Sequence, residues 1–334
     1  MPRKTVVNVG FDPGNGAVKI QSDSGRYSTA SVISLAGMSE NQIALTVNGE
    51  TQRYSHGYAS RETSEQTGKS RRYKAEKLQQ LYGIGLNILP EITVGDYHVN
   101  LVVSSPYESE RDDELFAEKL AEPLTIQTNT QRATITTSVH SVKREGWGIV
   151  SCKSFQNVEG TVTLRLTDKP VTVVELGCGT VNYSTYANGQ KIDFKTDHHG
   201  VLSLAEIVAQ LATAAFGTRF DQFEVMQAIQ TVRAIKNVDG YDLSAQYKQA
   251  LGLWRDGGLS LTLDEALKAA KSRPVIWAGG GVLLPGMCKG LLKKHTNFYI
   301  PSRSEDSEYP KYAHVEGLYH RCVAITDDTL QSVA

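Results

Sequence analysis

A short pattern of one acidic residue and two glycines occurs twice in this chain, almost half of its 334 residues apart. The first copy, DPGNGAV, begins at Asp12, and the second, ELGCGTV, begins at Glu175. Each copy lies between two runs with the composition of β-strands, and a turn signal and a third extended run follow it. Two such strand–loop–strand–turn–strand segments predict two structurally similar domains.

The remaining sequence alternates between helical and extended patterns. Residues 71–91, 203–220 and 262–273 have the pattern of helices, whereas 97–109 is typical of a strand that runs into a turn and 274–281 of an apolar strand. This alternation predicts an α/β fold in which mixed sheets are covered by helices on both faces.

The composition is that of an ordinary globular protein, with 40% hydrophobic and 21% charged residues. A net charge of -1 argues against a broad DNA-binding face, which needs an excess of basic residues. The four cysteines lie far apart, so they indicate neither a zinc site nor a disulfide framework. No secretory leader and no apolar stretch long enough to span a bilayer is visible, which predicts a cytoplasmic protein without membrane contact.

The two glycine loops have the composition of phosphate-binding loops. Glycines allow the positive φ angles that point backbone N–H groups at a phosphate, and they place no side chain in its way. Asp12 and Glu175 could hold Mg²⁺, which prefers carboxylates and keeps most of its waters, and Lys19 could contact a phosphate. A plain turn is the alternative for either loop alone, and the repetition of the pattern favours phosphate binding.

A third glycine-rich segment, AGGG at 278–281, follows an apolar strand and precedes a predicted helix. Three consecutive glycines let the backbone approach a flat or charged ligand closely. The alternative is a strand-to-helix turn that tolerates many conformations.

Three segments in this order, GFDPGNGAVK, VELGCGTVNYS and IWAGGGVLLPG, resemble the two phosphate motifs and the adenosine motif of the actin, sugar-kinase and heat-shock-chaperone ATPase superfamily. Within it, the chain most resembles the ParM/StbA-like actins of bacteria and archaea, which segregate plasmids. The late segment YPKYAHVEGLYHRC, similar to a P-x-x-A-N-x-x-G-L segment of that branch, supports the assignment. The resemblance spans essentially the whole chain.

The resemblance implies the actin-like, ribonuclease H-like fold, with two similar domains of mixed β-sheet and helices around a nucleotide cleft. The first phosphate loop would belong to a domain made of residues 1–168 and 300–334. The second phosphate loop and the adenosine motif would belong to a domain made of residues 169–299.

The resemblance also implies a role for each matched position. Asp12 and Glu175 would hold magnesium through water, and Glu145 would orient the water that attacks the γ-phosphate. An exposed loop carboxylate is the alternative for Glu145. The residues expected to bind the nucleotide are Gly14, Asn15, Gly16, Lys19, Gly177, Gly179, Thr180, Gly279, Gly280 and Gly281.

The chain departs from the family pattern at three places. Glu175 stands where the second phosphate motif normally has Asp, and Asn182 replaces the acid that usually follows the threonine of that loop. Residues 104–106 are Ser-Ser-Pro where Gly-Leu-Pro is common. The first two departures concern magnesium geometry and hydrolysis more than nucleotide binding.

The function implied is a filament-forming ATPase that uses Mg²⁺ with ATP, or with GTP as the alternative nucleotide. Its partners would be further copies of itself and a DNA-binding adaptor protein, so that it would contact plasmid DNA only indirectly. Two other functions remain open on this fold. One is a sugar or small-acid kinase, and the other is a monomeric, nucleotide-regulated module.

Overall fold

The structure is a computed structural model, which describes residues 4–31, 33–35, 42–56, 76–106, 109–166, 169–230 and 237–333. The start of the helix predicted over 71–91 lies outside these residues. The chain divides into two compact units, Met1–Gly148 with His314–Ala334 and Ile149–Ala313. They are called the first and the second unit below.

The described strands of the first unit form one mixed sheet in the order β3-β2-β1-β7-β9-β8-β5-β6-β4, with β1, β7 and β9 parallel to one another. The strands are β1 (Thr5–Pro13), β2 (Ala17–Ser22), β3 (Gly25–Ala30), β4 (Ile33–Leu35), β5 (Gln42–Val47), β6 (Glu50–His56), β7 (Gly95–Ser105), β8 (Leu124–Gln127) and β9 (Arg132–Arg144). The helices of this unit are α1 (Leu78–Asn87), α2 (Glu110–Ala121) and the part of α9 (Tyr309–Val333) from His314 onward.

Helices cover both faces of this sheet near β1. Neighbouring residues of a strand face opposite sides, and Gly10 and Phe11 show which helix lies on each side. A Cβ atom on Gly10 would lie 2.4 Å from the backbone nitrogen of Tyr319 in α9, whereas one on Gly85 of α1 would lie 3.1 Å from the Phe11 ring. Burial on both faces explains why the consecutive residues Val9, Gly10 and Phe11 of β1 are all buried.

The second unit contains a sheet in the order β11-β10-β18-β17-β12-β13-β14 and a two-stranded hairpin of β15 and β16. The strands are β10 (Ser154–Asn157), β11 (Gly160–Thr163), β12 (Val171–Leu176), β13 (Val181–Ala187), β14 (Gln190–Asp197), β15 (Asn237–Val238), β16 (Tyr241–Asp242), β17 (Val275–Ala278) and β18 (Phe298–Pro301). The helices are α3 (Trp147–Val150), which begins at the unit boundary, α4 (Val201–Phe216), α5 (Gln222–Gln230), α6 (Ser244–Asp256), α7 (Ser260–Ala270) and α8 (Met287–Leu292).

The two units share the arrangement predicted from the repeated pattern. In the first unit, β1, β2 and β3 form an antiparallel meander, and β1 pairs in parallel with β7. In the second unit, β12, β13 and β14 form the same meander, and β12 pairs in parallel with β17. The predicted α/β architecture with mixed sheets is therefore confirmed. None of the described helices combines the length and apolarity needed to cross a bilayer.

The units differ in extent from the domains drawn from the sequence. The predicted first domain includes residues 149–168 and 300–313, and the structure groups the described residues among them with the second unit. The hydrogen-bonding partner of β10 accounts for the difference, because β10 pairs with β18 in the second sheet, with Phe155 opposite Pro301.

Helix α9 packs closely against Gly148, which ends the segment Met1–Gly148 of the first unit. The contact is so close that glycine is required on both sides of it, at Gly148 and at Gly317. A Cβ atom on Gly148 would lie 2.0 Å from the carbonyl oxygen of His314, and one on Gly317 would lie 2.2 Å from the carbonyl oxygen of Gly148. The Gly148 amide also donates a hydrogen bond of 3.1 Å to Nδ1 of His314. Backbone atoms make up this contact, so a side chain could be accommodated only by moving the helix.

We therefore expect Gly317→Ala to destabilise the protein by roughly 3 kcal/mol, as overpacking against a rigid backbone does. The matched control is Gly252→Ala in α6, where an added Cβ meets no atom within 4 Å. That substitution should raise stability by about 0.5–1 kcal/mol, because alanine is the better helix former. Urea unfolding measures both, and equal midpoints for the two variants would contradict this packing.

Candidate functional site

The first glycine loop joins β1 to β2 and holds a buried ion pair at its base. Asp12 and Lys19 are directly opposite residues of the two antiparallel strands. The Lys19 ammonium nitrogen lies 2.9 Å from Oδ2 of Asp12, and the two residues are only 9% and 4% exposed. The structure thus brings these two candidate site residues together, and Lys19 is paired with Asp12 itself.

The turn of this loop is stabilised by backbone contacts. The Gly14 amide donates to the Asp12 carbonyl at 2.9 Å, and the Ser31 amide donates to the Gly16 carbonyl at 3.2 Å. A Cβ atom on Gly14 would lie 2.6 Å from the carbonyl oxygen of Ala17, so this position requires glycine. Asn15 is half-buried between these two glycines.

Three parallel strands of the first unit end at the same edge of the sheet, and each brings a polar residue there. Asp12 lies at the end of β1, Ser104 at the end of β7, and Glu145 directly after β9. The Ser104 hydroxyl donates to Oδ1 of Asp12 at 2.8 Å. Glu145 follows the Ser105–Arg144 pair of the β7–β9 ladder. The structure therefore places Glu145 at the same sheet edge as Asp12.

The two basic residues before Glu145 are held by other groups. Lys143 lies over the ring of Trp147, 4.9 Å from its centroid, and Arg144 donates to the Asp113 carboxylate. Burial, followed by the positive charge of Arg321, lowers the pKa of Lys143. Glu145 itself is half-buried in the turn that Gly146 forms with φ of 82°.

Ser104 is a residue of this site that the sequence analysis did not select. The sequence marks it only as a departure, since Ser-Ser-Pro stands where Gly-Leu-Pro is common. It is 1% exposed and lies 92 residues from Asp12 along the chain. Only the register between β1 and β7, in which Phe11 is opposite Val103, brings the two together.

The second glycine loop joins β12 to β13 in the second unit. Glu175 and Asn182 are opposite residues at its base, in the positions that correspond to Asp12 and Lys19 of the first loop. Asn182 accepts a hydrogen bond from the Thr196 hydroxyl at 3.1 Å. The amide at the base of this loop therefore stands where the first loop has a cation.

Helix α4 fixes the second loop from outside. The amides of Val201 and Leu202 donate to the carbonyls of Gly177 and Cys178 at 3.0 and 2.8 Å. A Cβ atom on Gly200 would lie 2.4 Å from the Cys178 carbonyl oxygen. Burial raises the pKa of Cys178 to about 11, so its thiol is neutral near pH 7 and adds no negative charge to the loop.

The turn of the second loop, between β12 and β13, is equally compact. The Gly177 amide donates to the Thr180 carbonyl at 2.9 Å, and a Cβ atom on Gly177 would lie at that same distance from this oxygen. Gly179 is buried and Thr180 is half-buried. The arrangement matches the first loop, in which the Gly14 position also lies against a backbone carbonyl.

The third glycine segment lies beside the second loop. Gly279 follows β17 with φ of 88°, and a Cβ atom there would lie 2.5 Å from the carbonyl oxygen of Leu176 at the end of β12. A Cβ atom on Gly281 would lie 2.8 Å from the Leu176 Cβ atom, whereas one on Gly280 meets nothing within 4 Å. Gly279 and Gly281 are therefore required by packing, and Gly280 borders open space.

The donors for a metal ion are few. Among the described residues, no group of three or more His, Cys, Asp and Glu side chains could hold a metal ion by itself. Asp12 and Glu175 each supply a carboxylate at the base of a glycine loop. Mg²⁺ is commonly held through one or two carboxylates while it keeps several waters, and the single carboxylate at the base of each loop fits that requirement.

Two units that each carry a β-meander, a parallel strand beside it and covering helices give this chain an actin-like fold. Solved structures of ParM share this fold with the chain. ParM of Bacillus thuringiensis with ADP matches with a TM-score of 0.71 and 16% sequence identity, over 97% of this chain and 100% of that one. The expected resemblance to ParM-like actins is thereby confirmed at the level of the fold.

Two further structures show the same similarity. A ParM in a 15-stranded filament from Clostridium botulinum has a TM-score of 0.69 and 13% identity, over 96% of this chain and 99% of that one. A Bacillus thuringiensis hybrid protein that contains two ParM mutants, with ADP, has a TM-score of 0.72 and 14% identity over 97% of this chain. This chain covers 49% of that hybrid. No protein-family model matches the chain, and no curated protein sequence matches it.

Proposed function

We propose that this protein is an actin-like ATPase that binds ATP with magnesium and polymerises into filaments. The observation that carries the proposal is the repeated hairpin, in which each unit presents an acidic residue beside a glycine turn at the end of a parallel strand. ParM structures with ADP and with ATP, and a ParM filament, share the fold of this chain and support the proposal.

The residues have the following roles in the proposal. Backbone amides of the two glycine loops bind the phosphates. The Lys19 ammonium adds a positive charge there when it leaves the Asp12 carboxylate and contacts a phosphate oxygen instead. Magnesium, when bound with the nucleotide, supplies positive charge at the phosphates. Asp12 and Glu175 would hold it through water. The backbone of the segment from Gly279 to Gly281 borders the adenosine.

Glu145 is assigned to orienting the attacking water. Positioning of the nucleophile and electrostatic stabilisation provide most of the catalysis of phosphoryl transfer. The position of Glu145 at the same sheet edge as Asp12 supports this assignment. GTP is the alternative nucleotide, and the donors in the glycine loops are backbone groups that do not distinguish the two bases.

The biological role proposed is plasmid segregation in the cytoplasm. A filament that grows with ATP and shortens after hydrolysis could move DNA through a DNA-binding adaptor protein. The near-neutral net charge of -1 fits a chain that contacts DNA only through such an adaptor.

The proposed function is tested by sedimentation of the purified chain with ATP, with ADP and without nucleotide, together with electron microscopy of the pellet. We expect filaments with ATP and fewer with ADP. If the chain stays in the supernatant under every condition, the filament proposal is wrong. Phosphorylation of an added sugar or small acid would support the kinase alternative instead.

Glu145→Ala is expected to bind ATP and to assemble, but to hydrolyse ATP about 100-fold more slowly, since loss of the group that positions the nucleophile costs about this factor. Phosphate release and sedimentation are measured on the same sample. A matched control is Glu265→Ala, which removes a partly exposed carboxylate in the second unit that pairs with Lys195. Wild-type hydrolysis by Glu145→Ala would show that the assignment is wrong.

A further inference from the structure

Two donors on neighbouring strands reach different oxygens of the buried Asp12 carboxylate. Lys19 reaches Oδ2 at 2.9 Å from the neighbouring strand β2, and the Ser104 hydroxyl reaches Oδ1 at 2.8 Å from the neighbouring strand β7. All three residues are at most 9% exposed. The carboxylate is therefore fixed from both sides of β1.

The two donors have different effects on the carboxylate. Lys19 is flexible and charged, and a carboxylate opposed by it alone could turn to place both oxygens on the ammonium group. Ser104 sits on a central strand with no comparable freedom, so its hydroxyl sets the plane of the carboxylate. A hydrogen bond to a charged group contributes more than one between neutral groups, which makes this contact a strong constraint.

We propose that Ser104 is a positioning residue, whose hydroxyl holds the Asp12 carboxylate in the orientation that receives the magnesium–nucleotide complex. The inference rests on the proposed nucleotide-binding function. It assigns a role in that function to a residue of β7, beside the residues of β1 and β2 already named. Position 104 is also where glycine is common in the resembling family, and glycine offers no side-chain donor.

The test is equilibrium binding of ATP to the full chain, in magnesium and in EDTA, for wild type, Ser104→Ala and Ser104→Thr. Loss of a hydrogen bond to a carboxylate should weaken binding in magnesium about tenfold, while binding in EDTA changes by less than about twofold. Ser104→Thr keeps a hydroxyl and should restore most of the affinity. A merely structural role would weaken binding equally in both conditions.

Ser22→Ala is the matched control. Ser22 is a buried serine of the same unit, 2% exposed, at the end of β2 away from the glycine loop, and its hydroxyl accepts a hydrogen bond of 3.3 Å from the Ser24 amide. The Ser22→Ala variant should unfold at a lower urea concentration than wild type, and it should bind ATP in magnesium with wild-type affinity. If both alanine variants lose stability but only Ser104→Ala loses affinity for ATP in magnesium, the loss of affinity comes from the position of the Asp12 carboxylate and not from weaker folding.

Each outcome has one meaning. A wild-type chain that binds no ATP in either condition would overturn the proposed function and this inference together. A wild-type chain that binds in magnesium, with a Ser104→Ala variant that binds equally well or loses the same factor in EDTA, would overturn the inference alone. A folded Ser104→Thr variant as weak as Ser104→Ala would also overturn it.

Discussion

Asp12→Ala is expected to abolish measurable binding of magnesium–ATP and to destabilise the protein by about 3–5 kcal/mol. The second effect follows from burial, because removing one member of a buried ion pair leaves the other charge without compensation. Lys19 is 9% exposed and its ammonium lies 2.9 Å from the carboxylate that would be lost. The Ser104 hydroxyl would lose its acceptor at the same time.

Two comparisons separate these effects. The double variant Asp12→Ala with Lys19→Met removes both charges and should be more stable than Asp12→Ala alone, although it still fails to bind ATP. Glu265→Ala removes the partner of Lys195 in an exposed pair, with side chains 35% and 56% exposed. That change should cost at most about 1 kcal/mol, since solvent screens such pairs. Unchanged ATP affinity in Asp12→Ala would refute the role of this residue.

Gly279→Ala is expected to destabilise the second unit by about 3 kcal/mol and to remove nucleotide binding with it. Two costs of about 1–3 kcal/mol combine at this position: an L-residue at positive φ and overpacking. The φ of Gly279 is 88°, and the added Cβ would lie 2.5 Å from the Leu176 carbonyl oxygen. Leu176 belongs to the strand that carries the second phosphate loop, so the displacement would reach that loop directly.

Gly280→Ala is the natural comparison one residue along. A Cβ atom added to Gly280 would meet no atom within 4 Å, and the φ angle of Gly280 is not positive. We expect unfolding in urea at the wild-type midpoint, with weaker ATP binding if this backbone borders the adenosine. Unfolding measurements and ATP titrations on the two variants together distinguish a packing role from a binding role. Equal stability of the two would contradict the close approach to Leu176.

Much of the local structure was predictable from the sequence. The strands predicted around both glycine loops are present, as β1 and β2 around the first loop and as β12 and β13 around the second. Period-2 composition, turn residues and glycine positions are local signals, and they act within a hairpin whose partners are adjacent in sequence. For this reason Asp12 and Lys19, seven residues apart, could be placed together beforehand.

Contacts between distant segments were not predictable in the same way. The strand β10 could have paired with either sheet, and its pairing with β18, far along the chain, decides that residues 149–166 belong to the second unit. A short strand pattern reports which residues share a face, but it does not identify the strand that completes its hydrogen bonds.

The sequence by itself determined the paired acid-and-glycine hairpins and the α/β class, because both follow from local backbone preference and hydrophobic period. Only the tertiary structure decided what surrounds them. It placed Ser104 on Asp12, Leu176 against Gly279, and Gly317 against Gly148. These contacts depend on strand register and helix docking between segments far apart in the chain, and such long-range packing has no signature in any single stretch of sequence.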